Sequence, residues 1–248
     1  MTTRIVITGA TSGLGRELAL QYAAEAPGTV LGLVGRRADR LEEVAAAARE
    51  RQAVVHLFPA DVGDGPAMAG VAREFLERAG GADLVIANAG VGNPDRLSSG
   101  EAGPLAAVMQ VNVIGMIHTL LPFVPAMKAA RAGHLVAVAS VAGFRALPGH
   151  ATYSASKLAV RALMDGWSYD LRRWGIRTTV VNPGFVKSEM TADNEFPMPF
   201  LLETEDAVRR IRRAIRRGKR EHTFPFPMAV LARLLGWMPR FVIRRLPR

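Results

Sequence analysis

The chain has 248 residues, 49% of them apolar, no cysteine and a formal net charge of +10. That length holds one large α/β domain or at most two small ones, with apolar residues enough for a sizeable core. The absence of cysteine excludes disulfides, thiolate metal ligands and cysteine nucleophiles, and it fits a reducing compartment such as the cytoplasm.

The charge is uneven. Residues 209–248 carry thirteen Lys/Arg and one acidic residue, Glu221, a net +12 that leaves −2 for residues 1–208. The N-terminus runs straight into a strand pattern with no leader-like apolar region. No uninterrupted apolar run reaches the roughly 18–20 residues of a spanning helix.

Strand-like and helix-like stretches alternate along the chain. RIVITG (4–9) reads as a short strand ending in glycine, and LGRELALQYAAEA (14–26) has helical spacing. TVLGLVG (29–35) is a second strand and ADRLEEVAAAARER (38–51) a second helix. VVHLFPA (54–60) precedes a helix over 64–79, and ADLVIANAG (82–90) is a fourth strand. A long helical stretch over about 101–130 follows, with bends expected at Pro122 and Pro125. GHLVAVAS (133–140), a long helix over 151–174, and IRTTVVNPG (176–184) continue the pattern. A helix over 203–218 and a last short strand in EHTFPF (221–226) end it. Near-continuous Val/Ile/Leu strands between helices predict a Rossmann-like, doubly wound parallel sheet of about seven strands, covered on both faces. In such sheets ligands bind at the carboxyl ends of the strands.

The chemically loaded residues fall at those ends. TGATSGLG (8–15) follows strand one, and Gly9, Gly13 and Gly15 let the backbone turn sharply toward a pyrophosphate at a helix N-terminus. A glycine-rich turn alone is weak evidence, because any strand–helix turn can use glycine. After strand two, where NAD sites usually hold an acidic residue, stand Gly35, Arg36 and Arg37. Paired guanidiniums suit a 2′-phosphate and favour NADP(H) over NAD(H); the plainer reading is two solvated arginines. Asp39, just downstream, is read as the start of helix two.

Asp61 and Val62 end strand three, and Asn88, Ala89 and Gly90 end strand four. Ser140 ends strand five; Pro183 and Gly184 end strand six. Asn112 lies within the long helix, where asparagine is locally unfavourable, with a structural or solvent-facing asparagine as the plain reading. In YSASK (153–157), Tyr153 and Lys157 stand one helical turn apart with only small residues between them. No cluster of His and carboxylates has metal-ligand spacing, so no metal is expected.

Together these residues resemble the short-chain dehydrogenase/reductase family, in its short single-domain, NADP-preferring branch. The matching pieces are T-G-x-x-x-G-x-G at 8–15, Asp61, N-A-G at 88–90, Asn112, Ser140, Y-x-x-x-K at 153–157 and P-G at 183–184, in order over about residues 4 to 190. The resemblance implies hydride transfer between nicotinamide and a carbonyl or alcohol carbon. It makes Tyr153 the acid/base, Ser140 the donor that positions the substrate oxygen, and Lys157 a ligand of the nicotinamide ribose. Asn112 would hold a water linking Lys157 to solvent. The charges of Lys157 and of oxidised nicotinamide beside the phenol are both expected to lower its pKa from about 10. Thr11, Ser12 and Leu14 in the glycine-rich turn, Asp61, Val62, Asn88, Ala89, Gly90, Pro183, Gly184 and Val186 would line the cofactor groove. Ser188 stands where threonine is more usual.

Phe144, Leu147, His150, Phe185, Met190, Phe196, Met198 and Phe200 suggest an apolar substrate wall under a lid over about 185–202, or simply a packed loop. His150 is discounted as an acid/base. The catalytic domain is expected over 1–226. The extension 227–248, with interleaved apolar residues, arginines, Trp237 and prolines, has three readings. It packs over the site and a subunit interface, lies on an anionic membrane, or binds nucleic acid, the last disfavoured because no reading motif accompanies the charge. The expected function is an NADP(H)-dependent carbonyl reductase or alcohol dehydrogenase acting on a lipophilic ketone, forming a homodimer or homotetramer by resemblance. A 3-oxoacyl-thioester reductase and a non-catalytic NADP-binding regulator are the alternatives.

Overall fold

The computed structural model describes residues 3–146, 148–192 and 197–237, apart from the side chains of Leu235 and Trp237. Leu147, Phe196 and the tail end 238–248 lie outside the described residues.

Short runs of Val, Ile and Leu pair into one parallel sheet: β1 (Arg4–Thr8), β2 (Val30–Gly35), β3 (Val54–Pro59), β4 (Leu84–Ala87), β5 (Gly133–Val138), β6 (Ile176–Pro183) and β7 (Glu221–Phe224). Their spatial order is β3-β2-β1-β4-β5-β6-β7. The order reverses between β1 and β4, which opens a crevice at the carboxyl edge. Alternate residues of one strand serve opposite faces. Ile5 and Ile7 of β1 join Leu31, Leu33, Leu18 and Val208 on one side. Val6 joins Val85, Phe75, Phe123 and Leu135 on the other.

The first face is covered by α1 (Gly13–Ala23), α2 (Ala38–Arg49) and α8 (Thr204–Arg216). The second is covered by α3 (Gly65–Ala79), the stretch α4 (Gly103–Met109), α5 (Gly115–Leu120) and α6 (Val124–Ala130), and by α7 (Ala151–Arg173). Phe75 is fully buried and meets Phe58 and Phe123 edge to face, with centroids 6.4 Å away in each case. A Cβ at Gly32 would lie 2.7 Å from that ring, so β2 needs glycine there. Burial of such a ring stabilises by about 1.5–3 kcal/mol.

The long stretch 103–130 is apolar and long enough to cross a membrane by composition alone. Here Met116, Leu120, Phe123 and Met127 of that stretch are buried in the second core face instead, and Val108 is buried as well. It is not one regular helix. Gln110–Ile114 form a π turn, in which the N–H of Gly115 reaches the carbonyl of Gln110, and Leu121–Phe123 form a 3-10 turn at Pro122. A last helix, α9 (Phe226–Trp237), starts within the stretch read as the final strand, which ends at Phe224.

Candidate active site

The expected residues converge at the carboxyl edge of the sheet. Gly9 and Gly13 take positive φ, +67° and +50°. A Cβ at Gly15 would sit 2.1 Å from the Gly9 carbonyl oxygen, so the turn closes only around glycine. Asn88 ties this turn to β4: its amide donates to the carbonyls of Thr8 (3.0 Å) and Gly9 (3.3 Å). The buried hydroxyl of Thr8 accepts from the N–H groups of Asn88 and Ala89.

Asn112 sits in the π turn, 2% exposed. π turns frequently mark functional sites. Its Oδ1 accepts from Val91 N–H at 2.8 Å, and its Nδ2 donates to Val91 O and to Ser156 Oγ, both at 2.9 Å. The Ser156 hydroxyl donates in turn to the carbonyl of Tyr153 at 2.7 Å. Asn112 is thus a buried clamp between the loop after β4 and α7, not a solvent-facing residue. A Cβ at Gly90 would lie 3.2 Å from Asn112 Oδ1 and 3.3 Å from Lys157 Nζ. The missing side chain leaves a small polar recess between these two groups.

Lys157 is 4% exposed and donates to the Val138 carbonyl at 3.0 Å. Burial lowers its pKa to about 8. Its ammonium lies 5.7 Å from the centroid of the Tyr153 ring. The Ser140 hydroxyl lies beside the Tyr153 phenol and acts to lower its pKa. Ser140 Oγ accepts from Ala142 N–H at 3.1 Å and keeps its own proton to donate. Burial of the phenol pushes the Tyr153 pKa up by disfavouring the anion, and the Ser140 hydroxyl pulls it part of the way back.

Arg36 and Arg37 lie at the end of β2, both exposed. Arg36 is 3.7 Å from Asp61, itself half-exposed, and Asp61 accepts from Gly63 N–H at 2.8 Å. Arg37 donates to Thr11 (3.1 Å) and to Glu189 (3.2 Å). Hydrogen bonds, from Ser12 first and then Arg37, hold the Glu189 carboxyl below its usual range. Ser188 faces the glycine-rich turn, with its Cβ 3.3 Å from where a Gly13 Cβ would stand. It also caps the 3-10 turn Glu189–Thr191 reciprocally with Thr191. Val186 bridges Leu202, and Leu202 N–H donates to the Phe185 carbonyl at 3.0 Å, so the segment 185–202 is clasped at both ends. Glycines where backbone must approach a ligand, cations at the end of β2 and a polar recess beside Lys157 fit a nicotinamide dinucleotide.

The expected substrate wall is only partly assembled. Met190 is exposed beside Gly92, whose Cβ would meet Met190 Sδ at 3.7 Å and the Tyr153 ring at 3.5 Å. Phe200 is exposed with φ +58°, and His150 occupies the cap position of α7. Phe144 is engaged elsewhere: its ring is stacked by Arg161 at 3.7 Å and Arg233 at 5.8 Å. Arg161 is two turns along α7 from Tyr153, and through Arg233 the ring also contacts α9.

Four residues escaped the sequence reading. Ser156 looked like a spacer. A Cβ at Gly143 would lie 2.8 Å from the Lys157 carbonyl carbon, so glycine alone lets the turn after Ser140 lie on α7. Asp95 accepts from the Thr152 N–H (3.1 Å to Oδ2), capping α7 from another segment, since His150 gives no side-chain cap. Glu189 bridges the clasped segment to Arg37. Only Glu189, next to Ser188, had a local signal; the others depend on contacts distant in sequence. Among the described residues no group of His and carboxylates could hold a metal.

The family model for short chain dehydrogenase matches residues 3–197. An uncharacterized oxidoreductase of Myxococcus xanthus is 42% identical over 234 residues, 94% of this chain and 92% of that protein. One of Mycobacterium tuberculosis is 35% identical over 246 residues, 98% and 96% respectively. A solved 3-ketoacyl-ACP reductase from Sinorhizobium meliloti is 27% identical, with a TM-score of 0.81 over 92% of this chain and 99% of that one. A short-chain dehydrogenase from Sphingobium yanoikuyae in complex with NADPH, 24% identical, shares the fold at a TM-score of 0.84 over 99% and 97%. With Ser140, Tyr153, Lys157 and Asn112 brought together beside a glycine-rich turn, and with relatives alike over nearly their whole length, the chain belongs to the short-chain dehydrogenase/reductase family of oxidoreductases, which bind a nicotinamide cofactor.

Proposed function

We propose that the protein is an NADP(H)-dependent oxidoreductase that interconverts a lipophilic ketone and its secondary alcohol. The observation that carries this reading is the gathering of Ser140 beside the Tyr153 phenol with the Lys157 ammonium 5.7 Å from the ring centroid. Arg36 and Arg37 at the end of β2 support NADP(H): two exposed guanidiniums suit a 2′-phosphate, and they follow Gly35 where an NAD site usually has an acidic residue in sequence.

When bound, the cofactor supplies or accepts the hydride. Tyr153 transfers its hydroxyl proton to the carbonyl oxygen as the alcohol forms. Ser140 holds that oxygen beside the phenol with its single donor proton. Lys157, held by the Val138 carbonyl, stabilises the phenolate left behind. Asn112 fixes Val91 and α7 around this pair and faces the recess at Gly90, where a water would pass a proton from Lys157. The burial that raises the Tyr153 pKa keeps the phenol protonated near neutrality, which suits the reductive direction.

Residues 1–226 serve as one cytoplasmic catalytic domain with 185–202 as its lid. Exposed Met109, Ile114, Leu121 and Leu158 on the 103–130 stretch and α7 support a homodimer or homotetramer through those helices. The likeness to the 3-ketoacyl-ACP reductase favours a second reading, reduction of a 3-oxoacyl thioester. NADPH and NADH oxidation, measured against ketones graded from small and polar to long and apolar and against a 3-oxoacyl thioester, separates the readings. Saturable turnover that prefers NADPH and improves with apolar length supports the first. Turnover of the thioester alone supports the second. NADPH binding without any turnover leaves a regulator.

A further inference from the structure

The buried and exposed faces of α9 are both apolar. Met228, Ala229 and Ala232 are buried against the domain, whereas Phe226, Val230, Leu231 and Leu234 form an exposed stripe at helical spacing, with Phe226 78% and Leu234 61% exposed. The helix lies against the turns that follow Ser140 and β6. Met228 packs over Gly184, Arg145 donates to the Gly236 carbonyl at 3.2 Å, and Arg233 faces Phe144 in the turn that follows Ser140. Apolar side chains grouped on one exposed helix face, rather than scattered singly, are what a docking site presents.

Charge selects the occupant. From Phe226 to the end the chain holds five arginines and no acidic residue, four of them in 238–248. A second copy of so basic a stretch would bring like charges together. Four side chains on two turns are also far fewer than the roughly 20 residues a side of a stable protein interface. Apolar side chains flanked by arginine are what an anionic lipid surface takes up: the apolar stripe enters the headgroup boundary and the guanidiniums meet phosphate.

We propose that the exposed stripe of α9, with the arginines that follow it, docks the protein on an anionic bilayer with the mouth of the active site at the lipid. A lipophilic carbonyl would then enter from the membrane. This delivery role rests on the lipophilic-substrate reading, whereas the docking does not.

The full chain is co-sedimented with phosphatidylcholine vesicles, with and without about a third phosphatidylglycerol. Binding to the anionic vesicles alone, weakened by salt, is expected. The double variant Val230→Ser/Leu234→Ser should lose about tenfold or more in partitioning while turning over a water-soluble ketone as before. Because the chain has no cysteine, a polarity-sensitive dye on Leu234→Cys reports this face alone. It should read water in lipid-free protein and shift to the blue on anionic vesicles. A wild type that ignores anionic vesicles, or a double variant that binds as well, overturns the proposal. A dye already blue-shifted without lipid also overturns it. In a monomer that result gives the face to residues 238–248, and in an oligomer to a second copy. Turnover confined to small polar carbonyls, with vesicle binding intact, sinks the substrate reading and leaves the docking standing.

Discussion

The Asn112 amide donates to Ser156 Oγ at 2.9 Å, and Ser156 donates to the carbonyl of Tyr153 at 2.7 Å. One hydroxyl therefore joins the π turn to the helix turn that carries the phenol. Ser156 is fully buried, so Ser156→Ala leaves a buried amide donor unsatisfied, which costs about 1–3 kcal/mol. The expected result is a several-fold lower kcat with little change in NADPH Kd, because Ser156 contacts α7 and not the glycine-rich turn. Equal loss in both would mean that the residue supports the fold in general and not the placement of Tyr153.

Gly143 makes a similar link through its lack of a side chain. An added Cβ would stand 2.8–2.9 Å from the backbone of Lys157, and backbone yields little. Gly143→Ala should push the turn after Ser140 away from α7 and move Ser140 away from Tyr153. A fall in kcat of about tenfold or more is expected, since oriented donors at a reacting oxygen are worth 10²–10³ in rate when lost outright. An unchanged kcat would show that this contact does not hold the pair.

The sheet was legible because buried parallel strands are near-continuous Val/Ile/Leu runs, as in Ile5–Ile7 and Leu31–Val34. The motif residues at the strand ends were legible for the same reason, since topology carries them all to one edge. What stayed hidden depends on side-chain contacts between distant segments. Nothing near position 95 says that its carboxylate caps a helix starting at 151. The composition around Asn112 reads as helix and gives no sign of the π turn. Nothing near Phe144 in the sequence shows that Arg161 and Arg233 lie over its ring.

Asp95 offers a test of that long-range capping. Its carboxylate accepts from Thr152 N–H at the start of the catalytic helix, and its own N–H donates to the Gly149 carbonyl at 2.7 Å. Loss of a cap costs about 1 kcal/mol. Asp95→Ala should lower both stability and kcat, and Asp95→Asn, which keeps one accepting oxygen, should restore most of each. Thermal unfolding and turnover measured side by side check this. Failure of the asparagine to rescue kcat would deny the cap a positioning role.

Lys157 links stability to pH. Its folded pKa is depressed from the ordinary 10.5 to about 8 by burial. Between those values the unfolded chain holds a proton that the folded chain has released, so this group makes stability rise with pH across that window. Lys157→Met should abolish turnover and remove this contribution. It should also raise Tm near neutrality, where the native lysine is charged and buried, by about 2–4 °C for each kcal/mol recovered. Unfolding curves for both proteins from neutrality to strongly alkaline pH give the comparison. Parallel profiles would place the lysine in a more polar setting than its 4% exposure indicates.

Glu189 occupies Arg37. The carboxylate and guanidinium are 3.2 Å apart and largely exposed, so the pair itself contributes little to stability. Its consequence concerns the ligand. If Arg37 receives a 2′-phosphate, Glu189 competes for the same guanidinium and places a second negative charge beside the site. Glu189→Gln keeps the length of the side chain and removes the charge. It should tighten NADPH several-fold and leave NADH nearly unchanged, because only NADPH carries the extra phosphate. Arg37→Ala should do the reverse, weakening NADPH selectively, and the double variant should show less than the sum of the two effects, as coupled neighbours do. Fluorescence titration with both nucleotides measures all four proteins. Equal effects on NADPH and NADH would move the role of Glu189 from the phosphate to the glycine-rich turn, where Ser12 is its other partner.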